Sequence, residues 1–116
     1  MKLRIKGNSL RYRLTQSEVA KLWSEGILEE RTAFSTNTFV YTIVRVDKDM
    51  LTADFAENRM VLHMPKTMID ELYHTDKVGF DNDAGPVRLL VEKDFVCLDN
   101  TEEDQSDHYP NPSSTC

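Results

Sequence analysis

Apolar and polar residues alternate from the start of the chain. In "LRIKGNSLRYRL", Leu3 and Ile5 alternate with Lys2, Arg4 and Lys6, and Leu10, Tyr12 and Leu14 alternate with Arg11 and Arg13. A period of two is the mark of a strand with one buried face. Gly7-Asn8 between the runs suits a two-residue turn, because glycine reaches positive φ without a Cβ clash. The spacing predicts a hairpin with Lys6 opposite Ser9, Ile5 opposite Leu10, Arg4 opposite Arg11, Leu3 opposite Tyr12 and Lys2 opposite Arg13. One face is apolar and the other basic.

At Thr15 the period changes. Thr15 and Glu18 form a Thr-x-x-Glu capping box, which satisfies free amides at a helix start. Val19, Leu22 and Trp23 then fall at i, i+3 and i+4, the stripe of a short amphipathic helix. Gly26 is placed to end it in a left-handed conformation. "ILEERTAF" and "TFVYTIVRV" read as strands joined by a polar turn around Ser35 to Asn37. The second is apolar on both faces, as a central strand is.

Fifty residues after "NSLRYRLTQSEVAKLW" stands "NRMVLHMPKTMIDELY". Leu10, Tyr12 and Leu14 correspond to Met60, Leu62 and Met64; Val19, Leu22 and Trp23 correspond to Ile69, Leu72 and Tyr73. Asn8 corresponds to Asn58, and Leu3 and Ile5 to Ala53 and Phe55. "KVGFDND" and "VRLLVEKDF" take the place of the two strands after the first helix. The match is one of pattern, not of residue identity.

The expected fold is therefore α+β: about eight mostly antiparallel strands and two short helices, in two similar β-β-α-β-β halves around one core. The halves are 1–48 and 49–98 of a single domain. Residues 99–116 are almost devoid of apolar side chains and read as an acidic, proline-containing tail.

Composition narrows the function. A chain of 116 residues suffices for one modest core. Its formal charge of -6 makes nucleic acid an unfavoured partner. It has no apolar run of spanning length, so no membrane role is expected. The N-terminus lacks a signal-type apolar run and the two cysteines are too few for a disulfide framework; both point to the cytoplasm.

The first candidate site is the basic hairpin face, Lys2, Arg4, Lys6, Arg11 and Arg13, with no acidic residue before Glu18. Like charges on directly paired positions destabilise a sheet. Three outcomes are open: a solvated face with its stems lying on the surface, pairing with the chain's own acids from Asp94 to Asp107, or an external anion or partner. The second hairpin carries Asp54, Val61 and His63 instead, so such a site belongs to the first half only.

A metal site from Cys97, His108 and Cys116 is a weaker candidate, since their spacing matches no short paired-ligand pattern. Glu29 and Glu30 are adjacent on a strand and face opposite ways, so they do not flank one bond. His63 is expected on an outer strand face and His74 at a helix C-terminus. No Gly-rich phosphate loop or nucleophile elbow occurs, and no cofactor is expected. In "HYPNPSS", Pro110 and Pro112 impose an extended path, with Tyr109 as a potential anchor and a loose tail as the simpler outcome.

"MKLRIKGNSLRYRLTQSEVAKL" at the start, and "VRLLVEKDFVCLDN" followed by "YPNP" near the end, resemble a family of small bacterial proteins of unknown function, over most of the chain. The resemblance implies a bacterial intracellular setting and assigns no activity and no site residue. A looser similarity, to β-tunnel triphosphate enzymes, lies in the alternation of "KLRIK", but their Glu-x-Glu-x-Lys signature is absent. These readings favour a non-enzymatic protein-interaction or regulatory module, with a second copy or another protein as partner. The alternative is a binder of, or enzyme for, a small phosphorylated or carboxylated anion held on the basic face.

Overall fold

A computed structural model of the chain describes residues 1–95 and 107–110. The alternating segments form the expected first hairpin, β1 (Lys2–Lys6) and β2 (Ser9–Leu14), in the register Lys2–Arg13, Arg4–Arg11, Lys6–Ser9. Gly7 supplies the positive φ of its turn, at 54°. Helix α1 (Gln16–Glu25) begins with the complete Thr15–Glu18 capping box and stops at Gly26, φ 79°. Strands β3 (Ile27–Ala33) and β4 (Thr38–Val46) pair antiparallel. The second hairpin is β5 (Thr52–Ala56) and β6 (Arg59–Pro65), turning through Glu57 and Asn58, both at positive φ. Helix α2 (Lys66–His74), β7 (Gly79–Asn82) and β8 (Arg88–Lys93) complete the order.

Among the described residues, eight strands form two sheets of four, ordered β1-β2-β8-β7 and β3-β4-β6-β5. Exchanging the halves, β1 for β5, β2 for β6, β8 for β4 and β7 for β3, turns one order into the other. The halves are nevertheless not self-contained. The hairpin of the first half is completed by the closing strands of the second, through a parallel β2–β8 ladder. The hairpin of the second half is completed by the closing strands of the first, through a parallel β4–β6 ladder. An isolated half would leave the inner strand of its hairpin without a second ladder. The exchange supplies one in both sheets.

The turn asparagines start both ladders. The Asn8 carbonyl accepts from the amide of Arg88 at 2.8 Å, and the Asn58 carbonyl from that of Val40 at 3.0 Å. β4 is consequently an interior strand, as its two-sided apolarity required. Pairs that match at a spacing of fifty are buried together: Leu14 with Met64, Tyr12 with Leu62, Val19 with Ile69 and Leu22 with Leu72. One cluster holds all eight.

Trp23 and Tyr73 depart from the expected buried stripe, at 37% and 43% exposed. Their rings stack on each other, with centroids 4.5 Å apart and planes 13° apart. They hold corresponding positions at a spacing of fifty along the chain. They mark where α1 meets α2, and each covers the other's face.

Both helix C-termini are closed by a cation from the last strand of the same half. Arg45 donates to the Trp23 carbonyl at 2.7 Å, and the Lys93 ammonium to the Thr75 carbonyl at 2.8 Å. Burial pulls the Lys93 ammonium below its ordinary pKa.

Arg45 also limits what Gly26 can become. A Cβ there would stand 3.0 Å from its guanidinium, on a backbone that L-residues avoid. Gly26→Ala is expected to cost about 1–2 kcal/mol, seen as a lower urea midpoint at unchanged m-value. Gly85→Ala, with open space around it, should stay within about 0.5 kcal/mol of the parent.

Candidate functional site

Strand alternation sends Leu3, Leu10, Tyr12 and Leu14 inward, so Lys2, Arg4, Lys6, Arg11 and Arg13 share the outer face of the β1-β2-β8-β7 sheet. The structure thus brings together all five basic residues expected from the sequence. It adds a row the sequence did not place there. The β2–β8 register sets Arg88 beside Ser9, Leu90 beside Arg11 and Glu92 beside Arg13. Asp81 of β7 lies next to Leu90. Arg88, Glu92 and Asp81 were missed because a parallel pairing some eighty residues apart leaves no local signal; only the outward alternation of Arg88, Leu90 and Glu92 hinted at them.

Three of the face's cations have carboxylate partners. Arg11 Nε donates to Glu92, Lys2 Nζ lies 3.3 Å from Asp94, and Arg88 lies 3.4 Å from Asp81. Among the described residues, no ion pair engages Arg4, Lys6 or Arg13. Arg4 stands directly opposite Arg11, the like-charge pairing that disfavours a sheet. Between the side chains runs a groove of about 280 Å³, lined by Arg4, Lys6, Ser9, Arg11, Arg88 and Glu92 together with the apolar Leu90. A smaller depression of about 160 Å³ adjoins it at Lys2 and Arg13. All of this lies on the outer sheet face, outside the core, so this face lends the tunnel analogy no support.

The outer face of the other sheet is balanced within itself. Glu29 accepts from Arg59 at 2.8 Å and Arg31 at 3.0 Å, and these guanidinium groups, Arg59 first, hold its carboxyl below the usual range. His63 and Asp54 are 3.0 Å apart. Glu30 turns inward, to within 3.0 Å of the Met1 nitrogen, so the two adjacent glutamates do face apart. The His74 ring meets the Asp70 carbonyl at 3.0 Å, at the end of α2.

Of the metal candidates, Cys97 and Cys116 lie outside the described residues, as do Asp99, Glu102, Glu103 and Asp104 from the acidic stretch. His108 is buried, with Nε2 3.5 Å from Asp94. Among the described residues, no three His, Cys, Asp or Glu side chains gather as metal ligands.

"HYP" returns to the body of the protein. Tyr109 pairs with Phe95 in an isolated parallel bridge, and its amide donates to the Asp94 carbonyl at 2.9 Å. Its ring lies under the Lys93 ammonium, 4.9 Å from the centroid. Burial pushes its phenol up to about 12. Asp107 completes the first turn of α1. Its carbonyl accepts from the Gln16 amide at 3.2 Å, and its carboxylate from the Ser17 hydroxyl at 2.6 Å and the Ser17 amide at 3.3 Å. With Glu18 and Val19 bonded to Thr15, all four leading amides of the helix have partners. The second helix has no such arrangement: Pro65 stands at its N-cap without a side-chain bond.

This geometry describes an α+β domain of two interleaved, pseudo-symmetric halves, with a surplus of positive charge on one sheet face. Among the described residues, no helix is long and apolar enough to cross a membrane. The chain belongs to a family of unknown function, DUF7009, whose match covers residues 1–113. No curated protein and no solved structure matches it.

The Asp107 contacts predict a pH dependence. Hydrogen bonds from Ser17, then Thr15, hold this carboxyl below its ordinary value of 3.8. A depressed carboxyl stabilises the fold above that value, and the contribution fades as pH falls through the lower, folded value. Asp107→Ala should melt earlier than the parent at pH 7, and the gap should narrow progressively in thermal melts taken at pH values falling below 3.8. A gap that is absent at pH 7 would show that the α1 cap does not hold.

Proposed function

We propose that this chain is a non-enzymatic interaction module that presents the outer face of the β1-β2-β8-β7 sheet to an acidic protein surface, on a neighbouring protein or a second copy of itself. One observation carries the reading. A chain with net charge -6 gathers cations on a single sheet face, with Arg4 against Arg11 in register and no ion pair for Arg4, Lys6 or Arg13 among the described residues. Docking an acidic surface removes that repulsion. The described titratable pairs on the other sheet, Glu29 with its arginines and His63 with Asp54, read as structural ion pairs rather than as a nucleophile and its base. A four-strand face is broad, as a protein partner needs. The groove supports a second reading, a small anion held between Arg4 and Arg88.

The test is fluorescence anisotropy with a labelled glutamate-rich peptide. Binding should weaken with added salt, and Arg4→Glu or Lys6→Glu should each lower affinity about tenfold or more. Both side chains are exposed, so the variants should keep the parent's circular dichroism. Affinity that ignores both reversals would remove this face from the interaction.

A further inference from the structure

We infer that the groove at the turn end of this face recognises a phosphomonoester dianion, which deepens the acidic-partner reading and rests on it. Charge is the first argument. Arg4, Lys6, Arg11 and Arg88 line the groove; Glu92 and Asp81 are already engaged with Arg11 and Arg88. Four cations less two engaged carboxylates leave a formal excess of two. A phosphomonoester carries about -1.5 to -2 at pH 7, whereas one carboxylate neutralises only half the excess.

Geometry is the second argument. Lys6 and Arg88 lie on opposite sides of Ser9, each its register partner, one on β1 and one on β8. The Arg88 amide bond to the Asn8 carbonyl ties that strand to the hairpin turn. Arg4 and Arg11 form the next row toward the sheet centre. The result is a cationic lining around a serine: two or more guanidinium forks able to grip a tetrahedral oxyanion by paired N–H bonds, with Ser9 between Lys6 and Arg88 as a neutral hydroxyl donor. Glu92 holds Arg11 from its Nε side, which leaves the guanidinium positioned instead of swinging in solvent. A groove of about 280 Å³ has room for a phosphoryl group with its ester carbon. The chain's net charge of -6 opposes a long nucleic-acid strand.

The group has two sources, a small phosphate ester or a phosphorylated side chain on a partner, and the probes separate them. Isothermal titration would compare free phosphoserine, a phosphoserine peptide, its unphosphorylated form and the glutamate-rich peptide, against the parent, Arg4→Gln, Lys6→Gln and Ser9→Ala. Lys48→Gln, exposed between β4 and β5, is the control.

A phosphoserine probe should bind at millimolar or better. Arg4→Gln and Lys6→Gln should each weaken it about tenfold, Ser9→Ala should weaken it less, and Lys48→Gln should leave it unchanged. Affinity should fall as pH drops through about 6, where the dianion takes up a proton; the glutamate peptide should show no step there. A peptide tighter than the free amino acid assigns the phosphoryl group to a partner protein, and equal affinities assign it to a small ester. If the glutamate peptide binds through Arg4 while neither phosphoserine probe does, the phosphoryl inference is overturned and the acidic-partner reading stands. If none of the probes binds, both fall. Phosphoserine binding that is indifferent to Arg4→Gln and Lys6→Gln overturns the inference too, because the ligand then sits elsewhere.

Discussion

Two parallel ladders, β2 with β8 and β4 with β6, hold the rest of the structure in place. Each joins a hairpin from one half to the closing strands of the other, so neither half has a complete sheet of its own. The inner strand of each hairpin gains its second set of backbone partners only through this exchange. Core residues from both halves then fall into one cluster. Trp23 and Tyr73 stack where the two helices meet. Loss of either ladder would expose a row of backbone donors and acceptors along a strand that is otherwise interior.

The charged face inherits its form from the same exchange. The hairpin alone would present five cations on two strands. The β2–β8 ladder adds Glu92, which engages Arg11, and Arg88, which extends the cationic lining past Ser9. The ladder thus tempers the repulsion in the middle of the face and concentrates positive charge near the turn. On the opposite sheet the equivalent strands carry Glu29, Arg31, Arg59, Asp54 and His63, whose charges settle among themselves. The strand order and the buried positions correspond between the halves. The outer faces differ, and among the described residues the β1-β2-β8-β7 face carries the surplus.

Local rules were legible in the sequence wherever the partners were close along the chain. The first hairpin's register followed from alternation plus Gly7, and the ends of α1 followed from Thr15, Glu18 and Gly26. The spacing of fifty correctly paired the buried residues of the two halves. What the sequence did not show was which strands lie side by side. Strands on both halves are apolar enough to pair in several ways, and a parallel ladder has no turn to announce it. Arg88 and Glu92 therefore read as an ordinary strand surface. Trp23 and Tyr73 fit a helical stripe, and nothing local says that the stripe's last member meets its own counterpart. Tyr109 stood out as an anchor, but the return of Asp107 to α1 was silent, because an Asp in a polar stretch looks the same whether it caps a helix or faces solvent.

The claim beneath all of this is that the halves form one cooperative body through exchanged strands. Native-state hydrogen exchange addresses it directly, since amides that open together share one free energy. Interior amides of β2, β4, β6 and β8 should exchange at a single opening free energy, equal to that of global unfolding. Two separate sets, with β2 and β4 opening at one energy and β6 and β8 at another, would mean that each half folds by itself and that the interleaved account is wrong.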